Sequence, residues 1–348
     1  MNSTTLVSGG TGLLGGEVIL ALAKTGRRVR ALVRADSDER ARERLFDRLR
    51  KSEAYEPALD LLIDVIAGDT AREMFGSTAE RLAGITAIVH CAANTGFNEA
   101  ESTNIWNTNV GGARNLVAAA TAVAPSARVV FVSTAAVVTE PLDMALHETA
   151  PLAGYANTYT KSKREAEGIV KASGLDTVIV RPAIVLSRGV HDRAMARSIL
   201  WAVPIMKELG VIPVNPNAHI DLVPVDYVAD AIVRIAAKPA LSHDTFHISA
   251  GDSANTFAEL QEAVVSELPE FGTVQPLGPD TNITDRRMAR LLRPIETYLP
   301  FINGNLRYDN TRLKQEIGCA NPPSACSYVP HLIGLISLDE ALVEMYKP

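Results

Sequence analysis

Ser8-Gly9-Gly10-Thr11-Gly12-Leu13-Leu14-Gly15 constrains this chain more than any other stretch. It follows the apolar pair Leu6-Val7 and precedes an apolar-periodic segment that reads as a helix from near Gly15. Strand, glycine-rich turn and helix in that order make the first βα unit of a dinucleotide-binding fold. A helix N-terminus offers unpaired N–H groups and a partial positive charge, which suit a pyrophosphate. Glycines at 9, 12 and 15 let the backbone turn tightly and approach that phosphate with no Cβ in the way. A tight turn without a ligand is the plainer reading, and the position right after the first strand argues against it.

Strand and helix signals alternate downstream, as expected of a parallel sheet wound on both faces. Strands are expected over 29–33, 61–67, 87–91, 128–133, 177–180 and 245–249, and helices over 36–51, 104–123, 159–172 and 226–237. The fold class is therefore α/β, a Rossmann-type doubly wound sheet. The pattern loosens after Pro182, where 188–220 contains Pro204, Pro213 and Pro216 and one short helical stretch from Met195 to Leu209. Residues 1–190 and 221–250 are assigned to the cofactor domain. Residues 191–220 and 251–348 are assigned to a smaller substrate lobe over the C-terminal edge of the sheet.

Composition excludes several classes. The 348 residues are 47% hydrophobic and 21% charged, ordinary for a soluble globular chain. A net charge of −6 argues against nucleic acid as the main partner. Cys91, Cys319 and Cys326 are too few and scattered for a disulfide framework or a metal site. Cys91 reads as a core residue. No basic segment followed by an apolar stretch opens the chain and no apolar run is long enough to span a bilayer, so a cytoplasmic protein with no membrane partner is expected.

The second strand ends Leu32-Val33-Arg34, where such folds commonly carry an acidic residue for a ribose hydroxyl. A guanidinium matches a phosphate in shape and charge, so Arg34 is read as the ligand of a 2′-phosphate and NADPH as the cofactor. Arg44, ten positions on, either reaches the same phosphate or lies on an exposed helix face. Asp36 and Asp38 are rival ribose ligands. Asp69 follows the third strand and either accepts from the adenine amino group or caps a helix starting near Ala71. Ala92 and Ala93, ending the fourth strand, are small enough for the backbone to lie beside the cofactor ribose.

Tyr159 and Lys163 are four apart and share one face of a helix. A free tyrosine has a pKa near ~10. A neighbouring ammonium, together with the positive charge of the nicotinamide when oxidised, is expected to favour the phenolate, and Lys163 can also hold the nicotinamide ribose. Tyr159 would pass a proton to a carbonyl oxygen as hydride arrives from the cofactor. Thr134, at the C-terminal end of the fifth strand, would fix that carbonyl. Ser133 competes for the role, because strand alternation points only one of the two at the crevice. Asn109 either orders the site or lies on a helix surface.

These residues together resemble the extended short-chain dehydrogenase/reductase family, across nearly the whole chain. Gly9, Gly12, Gly15, Thr134, Tyr159 and Lys163 stand at its motif positions. Other segments are similar to thioester reductase domains, the terminal reductases of nonribosomal peptide synthetases and carboxylic acid reductases. They are Ala31-Leu32-Val33-Arg34 with the stretch from Ala41 to Leu45, the run from Ile220 to Asp230, and Leu306-Arg307-Tyr308-Asp309-Asn310. Arg164 departs from that pattern, standing where the subgroup often has a bulky aromatic residue. The cofactor cradle implied comprises Gly9, Thr11, Gly12, Leu13, Leu14 and Gly15. The reaction implied is reduction of a carrier-bound acyl thioester to an aldehyde, or on to an alcohol.

An acyl or peptidyl carrier protein is usually acidic and needs a basic landing face. Arg286, Arg287, Arg290 and Arg293 offer one, although a solvated amphipathic helix is the plainer reading. Two alternatives remain on the same fold, a reductase of small ketones or aldehydes and a sugar-nucleotide epimerase or dehydratase. A cofactor sensor without catalysis would not need Thr134, Tyr159 and Lys163 together. No metal site is expected.

Overall fold

The structure, a computed structural model, describes residues 3–138, 145–151, 154, 156–187, 199–212, 214–277, 285–293, 295–302 and 305–339. In chain order the elements of the sheet half are β1 (Thr4–Ser8), α1 (Leu13–Lys24), β2 (Arg28–Val33), α2 (Asp38–Leu49), β3 (Ile63–Ala67), β4 (Ile85–His90), α3 (Ser102–Trp106), α4 (Gly112–Val123), β5 (Arg128–Val132), α5 (Thr158–Lys171) and β6 (Thr177–Pro182). The following elements are β7 (Ile184–Leu186), α6 (Ala202–Leu209), β8 (Val211–Ile212), β9 (His219–Ile220), β10 (Leu222–Pro224), α7 (Val225–Ala237) and β11 (Thr245–Ile248). Then come β12 (Asn255–Thr256), α8 (Phe257–Glu267), β13 (Gln275–Pro276), α9 (Arg286–Leu292), α10 (Leu299–Ile302), α11 (Thr311–Ile317) and α12 (Val329–Gly334).

Seven strands form one sheet in the order β11-β6-β5-β4-β1-β2-β3, and each pairing is parallel. Strand order reverses between β1 and β4, which opens a crevice at their C-terminal ends. Alternation along each strand builds two cores. On β5, Val130 and Val132 join the core under α1, α2 and α7, while Val129 and Phe131 join the one under α4 and α5. Sheets covered on both faces need apolar residues at successive positions, as in these strands.

Several boundaries differ from the sequence expectation. Leu61 and Leu62 belong to a 3-10 turn, Pro57–Leu62, and not to β3; Leu61 is 85% exposed. The expected helix over 104–123 is helical throughout but contains a π-helical turn, Asn107–Gly111, between α3 and α4. No helix starts at Ala71. The chain instead makes a short turn, Glu73–Gly76, in which Met74 and Phe75 take positive φ so that the Phe75 ring can be buried. Of the stretch Met195–Leu209, residues 195–198 lie outside the described residues; a 3-10 turn, Ile199–Trp201, leads into α6.

Past β6 the small strands pair in twos, β7 with β10, β9 with β12 and β8 with β13, and short helices pack around them. α7 and β11 return to the sheet. No helix among the described residues is long and apolar enough to cross a membrane.

Candidate active site

The glycine loop is built by backbone packing. Gly9 has φ +78°, and a Cβ there would lie 2.6 Å from the Ala92 nitrogen. A Cβ on Gly15 would lie 2.3 Å from the Gly9 carbonyl oxygen. These two glycines close the turn against β4 and α1, and the Gly12 N–H donates to the Gly9 carbonyl at 2.9 Å. Thr11 and Gly12 are exposed at the rim, with Leu13 and Leu14 partly buried behind them. α1 begins with no side-chain cap and no acidic residue in its first turn. Its leading N–H groups and positive dipole end therefore face outward, the arrangement that accepts a diphosphate.

Arg34 is exposed at the end of β2, and Arg44 on α2 donates to its carbonyl oxygen. The two guanidinium-bearing residues thus stand together beside the crevice. Asp38 is not available to a ribose. Its carboxylate pairs with Arg81 at 2.6 Å and accepts from the Ala67 N–H, and the Arg81 hydrogen bond holds it below the usual carboxylate range. Asp36 pairs with Arg40 at 3.2 Å. Asp69 is half-buried and accepts from the Ala71 N–H at 2.9 Å, bracing its own turn. Ala92 and Ala93 are partly buried after β4.

α5 carries Tyr159 and Lys163 and is held at several points. Asn157 and Thr160 form a capping box at its start. Arg181 on β6 grips Glu167 through two bonds of 2.9 and 2.7 Å, both side chains being buried. Breaking such a buried pair typically costs about 3–5 kcal/mol, so the helix has a firm seat on the sheet. Asn109, buried within the π-helical turn, accepts from the Asn94 N–H at 2.8 Å, donates to the Asn94 carbonyl, and donates to Ser162 at 2.8 Å. It locks the segment after β4 to the helix after β5, so the plain helix-surface reading fails. π-helical turns are frequent at functional sites.

Lys163 is buried, donates to the Val132 carbonyl at 2.7 Å, and lies 4.3 Å from the Phe131 ring centroid. Burial lowers its pKa to about 8. The Phe131 ring stacks on His90, whose Nδ1 meets the Ser8 hydroxyl at 3.0 Å. Burial, then the Lys163 charge, pushes His90 down to about 3, so it is neutral. Burial raises the Cys91 thiol to about 12, and the side chain packs partly buried against the core under α1, α2 and α7.

Tyr159 departs from expectation. Burial pushes its phenol up to about 12, and a hydrogen bond with Thr134 offsets only part of that. Lys163 donates to the Val132 carbonyl at the end of β5 and does not offset the effect of burial. Tyr159 is therefore protonated at neutral pH. Thr134 lines a pocket of about 200 Å³ together with Tyr159, while Ser133 is buried outside that lining.

Ile199, Tyr298, Phe301, Leu306 and Tyr308, within the expected substrate lobe, complete much of the pocket, while Phe97 comes from outside it. Phe97, from the segment after β4, stands 5.7 Å from Tyr159, 5.0 Å from Tyr298 and 5.4 Å from Phe301 between ring centroids. Asp221 also lines it, with its carboxylate accepting from the Ala250 and Tyr308 N–H groups. Burial pushes that carboxyl up to about 7 against those donors. Asp221 falls within a segment singled out by resemblance, whereas nothing local marks Phe97.

α9 is amphipathic. Arg286, Arg287, Arg290 and Arg293 are exposed, Leu292 is buried, and Arg287 pairs with Glu208 at 3.2 Å. Arg164 donates to the Gly154 carbonyl at 2.8 Å. No cluster of metal-ligating side chains occurs among the described residues.

Comparison with known proteins agrees with this architecture. Residues 7–232 match the family described as male sterility protein, NAD-binding. The nonribosomal peptide synthetase asaC of Aspergillus flavus is 29% identical over 267 residues, covering 70% of this chain and 26% of that one. A probable fatty acyl-CoA reductase 5 of Arabidopsis thaliana is 26% identical, covering 76% of this chain and 70% of that one. The chain spans about a quarter or less of the first curated relatives it matches. The crystal structure of the terminal R domain from the myxalamid PKS-NRPS biosynthetic pathway superposes with a TM-score of 0.75, over 99% of this chain and 89% of that one, at 23% identity. That likeness fixes the fold. The chain belongs to the male sterility protein family of NAD-binding domains, and its cofactor is a nicotinamide dinucleotide.

Proposed function

We propose that this chain is an NADPH-dependent reductase of acyl thioesters, and of the aldehydes they yield, working through Thr134, Tyr159 and Lys163. The observation that carries the reading is a protonated Tyr159 hydrogen-bonded to Thr134 on the wall of a 200 Å³ pocket at the end of β5. Reduction of a carbonyl needs a proton at its oxygen, and a phenol held near pKa 12 keeps that proton until negative charge develops beside it. Thr134 donates to the same oxygen and orients it. The Lys163 ammonium has three donors; one holds the Val132 carbonyl, leaving others for ribose hydroxyls.

The cofactor would rest on Gly9, Thr11, Gly12, Leu13, Leu14 and Gly15, with Arg34 and Arg44 at its 2′-phosphate, Asp69 toward the adenine, and Ala92, Ala93 and Lys163 along the nicotinamide ribose. When bound it supplies a hydride to the substrate carbonyl carbon. Tyr159 protonates the oxygen to give a hemithioacetal. Collapse of that adduct re-forms the carbonyl and expels the thiol, which carries away the proton. Residues 1–190 and 221–250 would hold the cofactor, and 191–220 and 251–348 the acyl group. Its natural substrate would be carrier-bound, with the exposed arginines of α9 as the landing face for an acidic acyl or peptidyl carrier protein.

NADPH oxidation measured against matched thioester, aldehyde and ketone substrates, together with product analysis of a sugar nucleotide incubated with the protein, tests the reading. Turnover of thioester and aldehyde supports it; turnover of the sugar nucleotide alone overturns it. Arg34→Ala should raise KM for NADPH about tenfold or more and leave KM for NADH unchanged. Equal effects on both would remove Arg34 from the 2′-phosphate.

A further inference from the structure

The lobe beyond β6 contains two apolar clusters. One gathers Leu186, Leu200, Ile220, Leu222, Leu260 and Val264 against α12. The other gathers Trp201, Ile205, Met206, Val274, Leu292 and Ile295. Between them lies a chamber of about 570 Å³, lined by residues of both. Close-packed interiors hold few voids larger than a water molecule, and this volume falls in the range of small-molecule sites.

Its inner lining is apolar. Among the described residues the polar lining is confined to Gln261, Glu262, Ser266 and Thr273. Gln261 accepts from the Val274 N–H at 3.1 Å, and the other three are exposed at the outer end. The chamber adjoins the reactive pocket. Ile199 lines both, and side-chain alternation turns Asp221 toward the pocket and its neighbours Ile220 and Leu222 toward the chamber. On α10, Phe301 lines the pocket and Ile302 the chamber.

We propose that this chamber receives the aliphatic tail of the acyl group whose carbonyl lies beside Tyr159, entering past Ile199, so that the chain favours long-chain over short-chain thioesters. This rests on the reductase reading above. A pantetheine arm or a peptide would leave amide groups without partners against this lining, and such burial is costly.

The test is a series of N-acetylcysteamine thioesters from acetyl through butyryl and octanoyl to dodecanoyl. Rising kcat/KM is expected, up to about fourfold per methylene buried, with a plateau once the chamber is filled. Leu260→Trp, which narrows the chamber, should lower kcat/KM for the longest chains first and leave acetyl turnover within about twofold. Val264→Phe is the milder second variant should the first fail to fold. A flat series in the wild type, or equal losses on acetyl and dodecanoyl substrates in the variants, overturns the proposal. Displacement of cis-parinaric acid by dodecanoate separates it from the reductase reading. Displacement lost in Leu260→Trp but kept in Tyr159→Phe upholds the chamber even if no thioester is reduced. Thioester reduction with neither displacement nor chain-length dependence removes the chamber alone.

Discussion

The glycine loop and the lobe chamber both leave out side-chain volume, and they do so by opposite means. At Gly9 and Gly15 the space is closed by backbone, so that any Cβ would strike a neighbouring main-chain atom. In the lobe, large side chains such as Leu260, Met206 and Ile333 surround a space that none of them fills. The loop is complete before a ligand arrives and offers only its outward N–H groups. The chamber is apolar surface without a partner. One region is rigid because its parts already fit; the other is shaped for what it admits. Thr134 and Tyr159 line the pocket that adjoins the chamber at Ile199.

The largest break is therefore expected in that pocket. Tyr159→Phe removes the proton and little volume, and should lower kcat by about two to four orders of magnitude while the dissociation constant for NADPH stays within about twofold. Fluorescence titration and steady-state kinetics check both halves, and near wild-type turnover would exclude Tyr159 as the acid. Next in size is the loop. Gly15→Ala places a Cβ 2.3 Å from the Gly9 carbonyl oxygen and should cost about 3 kcal/mol in urea unfolding. Gly12→Ala meets only that oxygen at 3.2 Å, and should keep stability within about 1 kcal/mol while weakening cofactor binding. Equal destabilisation by the two would erase the distinction between packing and presenting glycines.

A smaller effect than that of Gly15→Ala concerns the strut between β4 and α5. Asn109→Ala leaves the Asn94 N–H and the Ser162 hydroxyl without this partner and should cost about 2 kcal/mol. A change within experimental error would make that strut dispensable.

The sheet half was legible because its signals are local. Leu6-Val7 before the glycines, apolar runs at each strand and Tyr159 four residues before Lys163 each declare themselves within a few positions. What was missed depends on distant partners. Asp38 is committed to Arg81, 43 residues away, so its unsuitability for a ribose could not be seen. The tyrosine's raised pKa follows from burial, which spacing does not convey. Phe75 buries its ring by bending the backbone to positive φ, which replaces the helix expected from Ala71. The lobe was least legible. Its strands β8, β9, β12 and β13 are two residues each, too short for periodicity, and its chamber exists only between clusters brought together by the fold.

The central claim is that NADPH reduces a thioester in the pocket beside Tyr159. Its most direct test uses NADPH carrying deuterium on the transferred position, octanoyl thioester as substrate, and mass spectrometry of the product. One deuterium in the aldehyde, released with one equivalent of free thiol, is the predicted result. Unlabelled aldehyde, or thiol released without NADPH consumption, would contradict it.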